Sequence, residues 1–253
     1  MVKGKLLLRI SNALLVLSLL TWLHVSAASA YSITMSEFAT SSLDSYVTVG
    51  SGPIDSETVY LEFPTPLPYS YSSSVGIGGS SINTEYDFTN DSFDITLDHY
   101  RISTDGNFVQ SRGTMWFSVD QNVNYLASGS YTVLDAAGRR VLVEARLFDF
   151  TAGEYLFRTV QESRATPNES FTLGENGGDF ANTDTGSLSG TLIADHDYQF
   201  FFYAILQADP VTVLDASASG NFQLSFTAVP EPSTALLLTI GLVGIAAKRG
   251  RLN

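Results

Sequence analysis

Ala216-Ser217-Ala218-Ser219-Gly220-Asn221-Phe222-Gln223-Leu224-Ser225-Phe226 is the stretch that decides the fold. Ala216, Ala218, Gly220, Phe222, Leu224 and Phe226 alternate without a break with Ser217, Ser219, Asn221, Gln223 and Ser225. Successive side chains of an extended chain point to opposite faces. A period of two therefore predicts a strand with one buried and one wetted face. The same alternation appears upstream, where Val141, Val143, Ala145 and Leu147 interleave with Leu142, Glu144, Arg146 and Phe148. Thr151-Ala152-Gly153-Glu154 follows, then Tyr155 to Val160, which predicts a hairpin with about four turn residues. Tyr46–Val49, Thr58–Phe63, Phe93–Ile102, Thr114–Val119 and Ser130–Leu134 read as further strands. Leu188–Ile193 and Tyr198–Leu206 flank Asp195-His196-Asp197, which reads as a turn. Phe200-Phe201-Phe202-Tyr203 is apolar on both faces, as a central strand requires. No long window between residues 31 and 228 carries a good helical period. Roughly ten short strands, with Gly, Asn, Asp and Ser between them, predict an all-β, two-sheet antiparallel β-sandwich of jelly-roll-like form.

Composition marks the connections. Phe63-Pro64-Thr65-Pro66-Leu67-Pro68 holds three prolines and predicts an extended edge or loop. Ser70–Ser81 is rich in Ser and Gly and predicts a mobile loop, and Gly174–Gly190 a long polar one. No internal repeat divides the chain, so residues 31–228 are expected to form one domain.

Both ends differ from this middle. At the N-terminus Lys3, Lys5 and Arg9 precede the apolar run Leu14–Leu23, and Ala28-Ser29-Ala30 fits a small-residue cleavage site. That order is a signal peptide over residues 1–30, cut by signal peptidase before Tyr31. At the C-terminus Pro230-Glu231-Pro232 is followed by the uncharged run Ala235–Ala247 and then by Lys248, Arg249 and Arg251. Each proline fixes φ and lacks an N–H, and Glu231 before Pro232 is pushed out of the helical region. The tripeptide is therefore extended. The run at about 234–247 would make a helix of roughly 20–22 Å, short for a bilayer core of about 30 Å. Snorkelling by the three cations and local thinning of the bilayer cover such a deficit. The expectation is a single transmembrane helix with a cytoplasmic basic tail at 248–253.

Charge is counted on the segment between these ends. Seven of the 13 basic residues lie there, all arginine: Arg101, Arg112, Arg139, Arg140, Arg146, Arg158 and Arg164. They face 25 of the 26 acids, a net charge of −18. Such a surface argues against nucleic acid and anionic lipid as partners. The chain has no cysteine, which excludes disulfides and thiolate chemistry.

Motifs for catalysis are absent: no G-x-S-x-G elbow, H-E-x-x-H zinc pair or P-loop occurs. Asp98-His99 and Asp195-His196-Asp197 could supply a base and its orienter, but read first as strand-end and turn residues. Glu175, Asn176, Asp179, Asn182 and Asp184 offer hard oxygen ligands, making Glu175, Asp179 and Asp184 weak calcium candidates. Their spacing matches no known loop, and Asn, Asp and Gly also build turns without a metal, so no cofactor is expected. Trp116, with Tyr125 and Tyr131 nearby in sequence, reads first as core and second as part of a sugar-stacking platform.

The tail, Val229-Pro230-Glu231-Pro232-Ser233, then Ala235–Ala247, then Lys248-Arg249-Gly250-Arg251, resembles the PEP-CTERM sorting signal of exported bacterial proteins. The resemblance covers about 25 residues firmly. It implies export, a transient membrane anchor, and processing near the motif by an exosortase, a membrane transpeptidase. It also implies an association with exopolysaccharide and biofilm. Pro230, Glu231 and Pro232 become the sorting motif, and Lys248, Arg249 and Arg251 the stop signal. For residues 31–228 two roles are expected: a non-enzymatic surface or matrix protein, or a carbohydrate-binding or carbohydrate-active module.

Overall fold

The computed structural model describes residues 31–36, 39–49, 54–61, 65–102, 106–134, 140–164, 168–172, 181–182, 185–207 and 216–229. The expected signal peptide, the tail from residue 230 onward, and Glu175, Asp179 and Asp184 lie outside these. In chain order the described strands are β1 (Ile33–Met35), β2 (Ser41–Val49), β3 (Ile54–Leu61), β4 (Tyr69–Ile77), β5 (Ser80–Phe88), β6 (Ser92–Ile102), β7 (Gly106–Val119) and β8 (Val123–Leu134). Then follow β9 (Arg140–Asp149), β10 (Glu154–Arg164), β11 (Asn168–Thr172), β12 (Ala181–Asn182), β13 (Thr185–Gly186), β14 (Ser189–Leu192), β15 (Asp197–Gln207) and β16 (Ala216–Ala228). The strands belong to one compact unit, Tyr31–Thr227, with Met1–Ala30 and Ala228–Asn253 grouped apart.

Two antiparallel sheets result. The first runs β12-β10-β9-β15-β7-β2-β3, with β1 on β7 and β13 on β10. The second runs β11-β8-β16-β6-β5-β4, with β14 on β8. Eight strands pair in a nested way: β6 with β16, β7 with β15, β8 with β11 and β9 with β10. A long antiparallel ribbon folded over itself gives this order. β2 and β3 extend one sheet, and β5 and β4 the other.

The alternating patterns become the two inner faces. β16 buries Ala216, Ala218, Phe222, Leu224 and Phe226 and turns its serines outward. Rings interlock across the gap between sheets. Phe93 of β6 meets Phe117 of β7 edge-on with centroids 5.1 Å apart. Tyr86 packs on Phe202 at 6.1 Å, Phe202 on Phe222 at 5.8 Å, and Tyr125 on Phe157 at 6.2 Å. Each fully buried ring contributes about 1.5–3 kcal/mol by leaving water, and with no disulfide this core carries the stability.

β9 and β10 form the expected hairpin, its turn closed by Gly153 N–H donating to the Asp149 carbonyl at 2.9 Å. β15 sits between β7 and β9, the central position that its apolar run predicts. Two expectations change. Ser70–Ser81 is not a loop but most of the β4–β5 hairpin, turned by Gly78 and Gly79 at φ 59° and 81°. A two-residue turn with both φ positive matches strand twist, and glycine enters it without steric cost. Ser70, Ser72 and Ser74 line the outer face of an edge strand, while Ser73 turns inward and is buried. Gly174–Gly190 is not wholly loop, since β12, β13 and the start of β14 lie within it. The expected turn is present at Asp195, and it carries the chain from one sheet to the other: β14 pairs with β8 in the second sheet, and β15 lies in the first. Asp195 takes φ 62°, a left-handed value that Asp tolerates better than most residues.

Candidate functional site

β16 leads straight into the tail. Its neighbours secure the end of the strand: the Phe226 N–H donates to the Asp91 carbonyl at 2.8 Å, and the Tyr31 hydroxyl donates to the Phe226 carbonyl at 3.0 Å. The same hydroxyl lies 3.1 Å from Oδ1 of Asp91. Burial and the Asp91 carboxylate push its pKa up to about 12. Ser32 N–H donates to Oδ1 of Asp120 at 2.7 Å, and Ile33 N–H to the Asn90 side-chain oxygen at 3.2 Å. The first residues of the domain are therefore bound beside the last strand before the sorting segment. Pro230, Glu231 and Pro232 follow just past Val229, outside the described residues, as do Ala28, Ala30, Lys248, Arg249 and Arg251.

The histidine candidate finds a partner that sequence reading missed. Nδ1 of His196 lies 2.8 Å from Oδ2 of Asp149, not bonded to either flanking aspartate. Asp149 is 3% exposed, and its other oxygen accepts the Ala152 N–H at 2.8 Å. Asp197 instead accepts the Ser36 hydroxyl at 2.6 Å. The pair ties the β9–β10 turn to the turn before β15. Asp98 and His99 both belong to β6. Among the described residues no three His, Asp or Glu side chains are grouped to hold a metal ion, and no helix is long and apolar enough to cross a membrane.

Trp116, Tyr125 and Tyr131 do not form a platform. Tyr125 and Tyr131 point into the core from β8. Burial raises the pKa of both hydroxyls. Trp116 lies on the outer face of the first sheet, 9% exposed, with its ring edge-on to Phe150 at 5.2 Å.

That outer face carries a different cluster. One row across the strands reads Trp116, Gln199, Phe148, Tyr155, and the next Thr114, Phe201, Arg146, Arg158. Phe148 touches Phe150 at 5.8 Å and Tyr155 at 4.8 Å, so four rings run on in contact. Phe150 and Tyr155 are 43% and 41% exposed. The Arg146 guanidinium stacks on Phe201 at 4.2 Å, and that of Arg158 lies 6.0 Å from the Tyr155 ring. Both arginines use one carboxylate oxygen, Oε1 of Glu144, at 3.5 and 3.1 Å. Arg112 pairs with Asp44 at 2.7 Å and Arg140 with Glu162 at 2.6 Å on the same face. All four arginines with described side chains thus share one surface.

The outer face of the second sheet is the opposite. Glu85, Asp87, Asp94 and Asp98 project from it among Ser, Thr and Asn, with no basic side chain among those described. Ser92 and Gln223 both donate to Asp94. Glu85, Thr96, Asp98, Ser130, Thr132 and Asn221 border an open groove of about 380 Å³.

The described architecture is that of a two-sheet β domain whose last strand runs into a short C-terminal address segment. Residues 228–251 match the PEP-CTERM protein-sorting motif, so the chain carries the sorting tail of an exported, membrane-anchored precursor handled by an exosortase. No curated protein matches the chain. Among solved structures it is similar to the VP2 subviral particle of infectious bursal disease virus. The identity is 10% and the TM-score 0.29, over 80% of this chain and 57% of that one. It is also similar to a family 11 carbohydrate-binding module from Clostridium thermocellum, solved with a β-1,3-1,4-mixed-linked tetrasaccharide. There the identity is 13% and the TM-score 0.22, over 74% of this chain and 98% of that one.

Proposed function

We propose that this chain is a non-enzymatic cell-surface or matrix protein that reaches its place through its tail and resides among extracellular polysaccharide. The observation that carries the reading is the sorting motif over residues 228–251. Two prolines that fix φ and donate no N–H, on either side of Glu231, suit the cleft of a processing enzyme that binds an extended peptide. The apolar run near 234–247 holds the precursor in the cytoplasmic membrane, and Lys248, Arg249 and Arg251 stop its transfer. Signal peptidase cuts after Ala30, which leaves Tyr31 as the first residue. A lysine-free domain of strong negative charge stays soluble and resists unspecific association. His196 is spent on joining two turns through Asp149, a structural use rather than a reactive one.

The test is mass spectrometry of both ends of the mature protein, from cells with the native chain and with Pro230→Ala plus Glu231→Ala. The native chain should begin at Tyr31 and end near the motif, while the variant should stay membrane-bound with its tail intact. Normal release of the variant would sink the sorting reading.

A further inference from the structure

We propose that the outer face of the first sheet, at Phe150, Tyr155, Arg146 and Arg158, binds a polysaccharide that bears carboxylate groups. The proposal rests on the polysaccharide-associated reading above and names the surface and the ligand class.

Charge comes first. In a chain of net charge −13, two guanidinium groups here share a single carboxylate, Glu144. Glu144 takes Nη1 of Arg146 and Nε of Arg158, which leaves the Arg158 fork open on the solvent side. Nε of Arg146 is buried with no hydrogen-bond partner among the described residues. An arginine fork matches a carboxylate in plane and in spacing. The Arg146 guanidinium also lies over the Phe201 ring, 4.2 Å from its centroid, so less of its freedom remains to be lost on binding.

The rings come second. Phe150 and Tyr155 are each more than two-fifths exposed; Tyr155 lies 6.0 Å from the Arg158 guanidinium, and both rings contact Phe148. The C–H-rich face of a pyranose ring stacks on such surfaces, while its carboxylate reaches the guanidinium. A protein partner fits less well, because a stable interface covers about 800 Å² per side with an apolar centre. Two exposed rings among charged and amide side chains are too small for that centre. The opposite face of the sandwich, with Glu85, Asp87, Asp94 and Asp98, repels the same polymer.

The experiment is affinity electrophoresis of the purified full-length chain in detergent. Gels contain alginate, carboxyl-reduced alginate or dextran. Alginate should retard the native chain despite the negative charge of both. The neutral polymers should do so about tenfold more weakly, the loss expected when a charge-assisted pair is removed. Tyr155→Ala and Arg158→Gln should each weaken retardation by alginate severalfold. Tyr60→Ala, exposed on the distant edge strand β3, should not. Circular dichroism checks that each variant is folded. No retardation by alginate, equal retardation of the Tyr155 and Arg158 variants, or loss of a self-associated form on Tyr155→Ala would each overturn the proposal. Binding in the gel is read without processing in cells, so its failure leaves the sorting test standing, and the reverse also holds.

Discussion

Asp149 and His196 join two turns 47 positions apart in sequence through one 2.8 Å contact, Oδ2 to Nδ1. The carboxylate is buried and also accepts the Ala152 N–H. Removing it strands two donors inside a tightly turned region, whereas removing the partly exposed imidazole strands one acceptor and leaves a space that water can enter to reach it. Asp149→Ala should therefore cost about 2–3 kcal/mol and His196→Ala about 1 kcal/mol. Urea denaturation followed by tryptophan fluorescence measures both. Equal, negligible losses would show that the contact is incidental.

Phe93 is fully buried and meets Phe88, Phe117 and Phe226 edge-on at 5.1–5.3 Å. It joins both sheets at one end of the sandwich. Phe93→Ala should destabilise the domain by about 3–5 kcal/mol, enough to lower Tm by many degrees. Differential scanning calorimetry gives the value, and Phe93→Leu should recover more than half of it.

On the open side of the sandwich, Asp55 and Glu57 of β3 reach across to β4. Oδ2 of Asp55 accepts the Gly76 N–H at 2.8 Å, and Oε2 of Glu57 accepts the Ser74 N–H at 3.3 Å. The Tyr71 hydroxyl foremost, with Ser73 and the Ser74 N–H, holds the Glu57 carboxyl below its usual 4.5, against its own desolvation. A depressed carboxyl stabilises the fold above its unfolded pKa, and that share is lost as pH falls through the folded value. The stability gap between the native chain and Glu57→Gln should be full at pH 7 and shrink below about pH 4.5. Denaturant titrations at pH 7, 4.5 and 3 read this out, and a gap that widens in acid would contradict it.

At the alkaline end, desolvation by burial, partly offset by Ser111, Ser45 and Thr84, pushes Tyr86 up to about 12, and burial drives Tyr131 further up. A raised phenol pKa favours the folded state below the unfolded value and penalises it as pH rises past that value. Stability should be flat to about pH 9.5 and fall above pH 10. Absorbance at 295 nm should show buried tyrosines ionising together with unfolding, and Tyr86→Phe should delay that loss.

Much of this architecture could be read from alternation alone. Strands whose apolar residues recur every second position, such as Ala216–Phe226 and Val141–Leu147, were placed within a few residues because one face of each is buried. Ser70–Ser81 reads as a loop for the converse reason. Its inward residues include Tyr71, Ser73 and Val75, so polar atoms occupy both faces of the strand and the period is blurred. The surface cluster was less legible. Trp116, Phe148, Tyr155, Arg146 and Arg158 come from three strands, β7, β9 and β10, of which only β9 and β10 are sequence neighbours. Their meeting depends on β15 inserting between β7 and β9, which no local pattern announces. The link from His196 to Asp149 was hidden in the same way. Asp195 and Asp197 are nearer in sequence, but the imidazole bonds to Asp149, 47 positions away.

The place of β16 between β6 and β8 has a consequence for the order of events during export. Without its final strand the second sheet falls into two unconnected pieces, β6-β5-β4 and β8 with its partners, and the Phe222–Phe202 and Phe226–Phe117 ring pairs do not exist. A chain delivered from its N-terminus therefore cannot finish folding until residue 228 has emerged. Closing so distant a strand is a slow step. By then the sorting segment is next in line. Maturation of the domain and presentation of its address thus become a single timed event, and a chain that stalls early shows neither.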